Sequence, residues 1–182
     1  MEQNDTFILG DECKDVHPGK GDGEYVEYPE DYDLLKDIPN WRRMLLNTWQ
    51  EEFTYEGKKY LTVEHALKSE YYKFIEYPEL SEKISLDSGS DISKQSALII
   101  KRARDEKYPS NNKYDQWMKI ERFNIQNEIV ATKFRTLKTP RRVLLLTLNA
   151  DLRLGAYGVM KSMHHLRKTM RREFPDDIRE VV

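Results

Sequence analysis

The stretch from Phe53 to Phe74, FTYEGKKYLTVEHALKSEYYKF, constrains the fold more than any other part of this chain. Two short runs, Phe53-Thr54-Tyr55 and Lys59-Tyr60-Leu61, flank Glu56-Gly57-Lys58, a pattern that predicts a β-hairpin closed by a tight turn. Thr62 is a good helix N-cap, so the hairpin should pass directly into a helix over 63–76 that ends at Tyr77-Pro78. A glutamate and a histidine, Glu64 and His65, therefore sit side by side where strand gives way to helix. Three readings of the pair are open. As part of a cap, Glu64 is explained cheaply, because the first turn of a helix favours an anion. As a metal site the pair is weak. No second histidine stands four residues after His65, and His164 and His165, being adjacent, point to different faces of a helix. As the acid/base centre of an enzyme, the pair needs further residues to complete it.

The rest of the chain reads as one mainly helical domain behind an acidic arm. Residues 1–38 mix scattered acids with Pro18, Gly19, Gly21, Gly23 and Pro29, the composition of a flexible segment, able to fold back on the basic C-terminal half. Residues 39–182 should form the folded domain. Short helices are expected between Ser81 and Lys107, and YPSNN (108–112) is turn chemistry. From Asp115 a longer helix is expected, with Ile120, Phe123, Asn127, Val130 and Phe134 on one face. Pro140 should close the following connection, and RVLLLTL (142–148) reads as a helix or a buried apolar segment. A loop around Gly155 and Gly158 leads to a basic helix, 159–174, with Val159, Met163, Leu166 and Met170 inward. The expected fold class is α+β, mainly α-helical, with a small β-hairpin.

Charge is unevenly spread. The net charge is −2, yet residues 1–40 hold twelve Asp and Glu against three Lys, and 133–172 hold eleven Lys and Arg against one acid, Asp151. Such a region suits a phosphate-bearing ligand or nucleic acid, or is simply a solvated helix face. With 38% hydrophobic residues, eleven Tyr, six Phe and three Trp, the chain is too aromatic to be disordered. It has no run of the ~20 apolar residues a bilayer requires. It has no signal-peptide pattern, and its one cysteine, Cys13, cannot form an internal disulfide. An intracellular, cytoplasmic location is the expectation.

The order of the pieces points further. Asn47 comes first, then the EGKKY turn, TVEHALKSEYYKF, an arginine (Arg102 or Arg104), Asp115-x-Trp117, ATKF ending at Lys133-Phe134, and LLLTLNADL. Over roughly residues 45–172 this series resembles the NADAR superfamily, the YbiA-like N-glycosidases. The EGKKYLTVEH block is the most specific part. The resemblance implies a YbiA-like compact single domain that hydrolyses N-glycosidic bonds of phosphoribosylated riboflavin-pathway intermediates or of ADP-ribosylated guanine, with no metal and no cofactor. Breaking such a bond builds oxocarbenium character on the ribose, which a carboxylate stabilises while activating water. By the same resemblance Glu64 is the catalytic carboxylate. Asn47 binds ribose or base, Arg102 or Arg104 the phosphate, and His65 supports the site. Trp117 takes the place of the family's acidic-Trp partner, and Tyr157, before Gly158, that of its Trp-Gly. Lys68 stands where the family has Gln, and Tyr71, or Lys73 if two residues are inserted, where it has Lys. Leu148 replaces a glycine, and Arg153 occupies the stretch where an acid is usual. These departures fit either a changed substrate or a relative without catalysis that binds ADP-ribose or nucleic acid.

Overall fold

The computed structural model describes residues 2–102 and 113–179. Along the chain lie β1 (Thr6–Leu9), α1 (Asp33–Lys36), α2 (Trp41–Met44), β2 (Phe53–Tyr55), β3 (Lys58–Tyr60) and α3 (Val63–Phe74). They are followed by α4 (Pro78–Ile84), α5 (Ala97–Arg102), α6 (Lys113–Gln116), α7 (Arg122–Thr136), α8 (Lys138–Leu146), β4 (Asp151–Leu154) and α9 (Lys161–Glu173). The class is α+β and mainly helical, as the sequence indicates. Among the described residues no helix is long and apolar enough to cross a membrane. The chain divides into two units, one of residues 1–46 with 137–182, the other of 47–136.

In the first unit β1 pairs in parallel with β4, Thr6 opposite Asp151 through Leu9 opposite Leu154. Phe7, Leu9 and Leu152 are buried. The Phe7 ring meets Tyr32 and Trp41 edge-on, each at 5.0 Å. The acidic segment is therefore not a flexible arm throughout, and this expectation is corrected. Its Glu24 carboxylate accepts from the amides of Ile8, Gly19 and Gly21 at 3.0, 3.2 and 3.0 Å. It also pairs in two-pronged fashion with Arg42, at 2.6 and 2.8 Å. A buried charge needs such complete pairing. Composition cannot reveal it, because the partners of Phe7 and Glu24 lie far along the chain.

In the second unit the hairpin forms as read. Phe53 faces Tyr60 and Tyr55 faces Lys58. Both turn residues have positive φ, Glu56 at 48° and Gly57 at 76°, the primed geometry that matches strand twist. α3 packs against α4, α5 and α7, and α7 also packs on β2. The long helix differs from its expected face. Val130 and Phe134 are buried with Ile129 and Lys133, whereas Ile120 and Phe123 are exposed. Ile120 lies in a π-helical turn, Trp117–Glu121, that breaks the 3.6-residue register before α7, whereas Phe123 keeps the register of Val130 and Phe134 and is exposed at the start of α7.

Two elements of the first unit also depart from expectation. α8 starts at Lys138, so Pro140 stands within its first turn, where a missing amide proton costs no hydrogen bond. On α9 the buried face is Met163, Arg167 and Met170, with Val159 outside the helix.

Candidate functional site

The candidate site is built where β3 turns into α3. Thr62 is extended, and its Oγ1 accepts from the His65 amide at 3.2 Å. The Thr62 carbonyl accepts from Ala66 N at 3.3 Å, and the Asn47 carbonyl accepts from Glu64 N at 3.3 Å. The amides of Glu64, His65 and Ala66 thus donate to the Asn47 carbonyl, Thr62 Oγ1 and the Thr62 carbonyl. Glu64 itself is 7% exposed. A helix N-terminus favours negative charge at such a place.

His65 sits behind this turn rather than beside it. Its side chain is 0% exposed, and Nδ1 lies 2.7 Å from Thr62 Oγ1. The hydroxyl thus meets both the amide and the ring of His65. Burial lowers the imidazole pKa to about 4, opposed by the backbone of Gln95 and Ile92 near the ring. Nε2 makes no hydrogen bond of good geometry there. His65 is a fully buried residue that fixes the turn carrying Glu64, a supporting place.

Helix spacing sorts the remaining candidates. Lys68 and Tyr71 follow Glu64 at four and seven residues and so share its face of α3, whereas Lys73 falls on the opposite face. Lys68 is half-buried, with Nζ 5.6 Å from the centre of the Tyr71 ring. Tyr71 and Trp117 are buried and pack together at 5.5 Å, with Trp117 also 5.6 Å from Phe74. Both belong to an aromatic cluster with Phe74. Lys73 is exposed, and Asn47 is half-buried beside the first turn of α3. Tyr157 belongs to the other unit and is 92% exposed. Arg102 ends α5, and Arg104 lies outside the described residues.

One residue of the second unit was missed as a site candidate. Lys133, on α7, is only 2% exposed. Burial lowers its pKa to about 7, with Glu51 acting the other way. Its Nζ lies 5.1 Å from the Phe134 ring centre. The signal was present in the sequence, since Lys133 falls on the same helical face as Ile129 and Val130, where a solvated lysine does not belong. Among the described residues, no group of three His, Cys, Asp or Glu could hold a metal ion.

The second unit is thus a hairpin, cap and helix that bury a carboxylate and, on α7, a lysine. No family model matches this chain, and no curated protein matches it. A solved structure does: the NMR structure of the Escherichia coli protein YbiA, 15% identical, matching over 96% of this chain and 88% of that one, with a TM-score of 0.48.

Proposed function

We propose that this chain is an N-glycosidase acting on a ribosylated nucleotide-like substrate, either a phosphoribosyl riboflavin-pathway intermediate or ADP-ribosylated guanine. The observation that carries the reading is the state of Glu64. It is buried in the first turn of α3, where the helix N-terminus favours a carboxylate and where the motif order expects the catalytic acid. The ordered motifs around it supply the reaction class. Water adds to the anomeric carbon and gives a proton to Glu64 as the C–O bond forms. The C–N bond breaks, its electron pair leaves with the base nitrogen, and that nitrogen takes up a proton. The ionised carboxylate lowers the cost of the oxocarbenium character in between. Lys68, one turn along the same helix face, supplies positive charge for a phosphate. No metal or cofactor enters the scheme.

The test is incubation with phosphoribosyl pyrimidine intermediates and with DNA carrying ADP-ribosylated guanine. Base release by the wild type should fall by about 100-fold or more in Glu64→Gln, the usual size for an acid/base group, with the melting temperature nearly unchanged. Full turnover by Glu64→Gln, or none by the wild type, would overturn the reading. A second reading, a binding module without catalysis, is favoured by Leu148 and Arg153, which stand where the resemblance leads one to expect glycine and an acid. Calorimetry separates the two, because such a module binds ADP-ribose and leaves it intact.

A further inference from the structure

We propose that the outer face of α9 is a docking surface for the phosphate backbone of a nucleic acid. The inference does not rest on the glycosidase reading, and its test involves no turnover. Lys161, His165, Lys168 and Arg172 are all exposed. Their spacing of four, three and four residues places them within an arc of about 60°. The buried residues Met163, Arg167 and Met170 occupy the opposite side of the helix. The anchoring is firm: Arg167 donates through Nη1 to Thr147 Oγ1 and to the Ala150 carbonyl, each at 2.9 Å. Arg171 donates to the Leu148 carbonyl at 2.8 Å.

What sets this stripe apart from an ordinary solvated face is the lack of ion pairs, with the acid Asp151 acting on His164 and Arg167. Lys161, Lys168 and Arg172 make no ion pair with any described residue, and no acid interrupts the helix before Glu173. Two acids of the N-terminal segment are committed elsewhere, Glu24 to Arg42, and Asp5 to the Tyr32 hydroxyl and the Glu27 amide. Three cations outside any ion pair, with a histidine among them, spread over about 16 Å of a straight helix, match a linear polyanion better than a single phosphate. A membrane is the poorer fit, since a surface-lying helix needs an exposed apolar face, and the apolar residues Met163 and Met170 are buried.

The test is fluorescence anisotropy of a labelled mixed-sequence DNA duplex across a salt series starting at about 50 mM. Three to four phosphate contacts predict a slope of log K against log salt of about −3 to −4. The triple variant Lys161→Glu, Lys168→Glu, Arg172→Glu should weaken binding at least about 10-fold and flatten the slope, while the exposed Lys94→Glu should change neither. Circular dichroism verifies that the triple variant retains its helices. Any one of three results overturns the proposal: no binding at low salt, the same slope in the triple variant, or binding only to phosphatidylserine vesicles.

Discussion

Two helix ends in this molecule are solved in opposite ways. At the start of α3 every local choice agrees. Thr62 is extended, as an N-cap should be, and its hydroxyl serves both the amide and the ring of His65. At the end of α8 the local choice conflicts with the backbone. Leu148 adopts φ of +51°, a left-handed conformation that suits glycine. What holds it is distant in sequence, namely Arg167 on Thr147 and Ala150, and Arg171 on the Leu148 carbonyl. Cations at a helix C-terminus are favourable in any case. The first end is written into four consecutive residues, whereas the second is imposed by another helix.

The contrast breaks most visibly with acid. His65 has an ordinary pKa of 6.5 and one of about 4 in the fold. The unfolded chain therefore takes up the proton first, so stability is complete above about 6.5 and falls as pH drops towards about 4. At 1.36 kcal/mol per unit the loss reaches about 3 kcal/mol. Burial and Arg167 also hold His164 below its ordinary value, and it adds to the slope with the same sign. The His65 share is the difference between wild type and His65→Gln in urea unfolding at a series of pH values. An identical pH dependence in the two proteins would show that the ring is not held neutral.

Next in size is Thr62→Ala. It removes a cap and strands two buried groups, the His65 amide and Nδ1, which together should cost about 2 kcal/mol. Thr62→Ser keeps the hydroxyl and should cost less than about 1 kcal/mol. Chemical denaturation midpoints compare the pair. If serine were as damaging as alanine, packing of the methyl group, and not the cap, would define this end of α3.

How much was legible follows the same division. The hairpin, the Thr62 cap, α3 and the basic α9 rest on contacts within a few residues, and their sequence signals are strong. The strand pair β1–β4 joins the two ends of the chain, so neither Phe7-Ile8-Leu9 nor Leu152-Arg153-Leu154 announces its partner. The Gly- and Pro-rich composition around Glu24 concealed a buried ion pair for the same reason. Periodicity placed Ile120 on the buried face because a π turn has no simple pattern of its own, and Phe123 because a helix face does not show where along its length the core ends. In the candidate site, the shared face of Glu64 and Lys68 follows from their spacing of four residues on α3. Lys133 was quoted within a motif, but its depth depends on how α7 packs against α3 and β2.

The smallest effect sharpens the comparison most. For an L-residue the left-handed conformation costs about 1–2 kcal/mol, while glycine in its place loses about 0.5–1 kcal/mol of backbone freedom on folding. Leu148→Gly should therefore relieve strain but forfeit the packing of a half-buried side chain, for a net change near zero. Leu148→Ala forfeits the same packing and keeps the strain. Glycine should accordingly exceed alanine in stability by about 1 kcal/mol, a few degrees in melting temperature for a chain of this size. If alanine matched glycine, Leu148 would not be strained, and the end of α8 would be as locally determined as the start of α3. If the expected order holds, removing the clamp through Arg167→Met should lower stability more in the Leu148 background than in Leu148→Gly, because only leucine needs to be held in place.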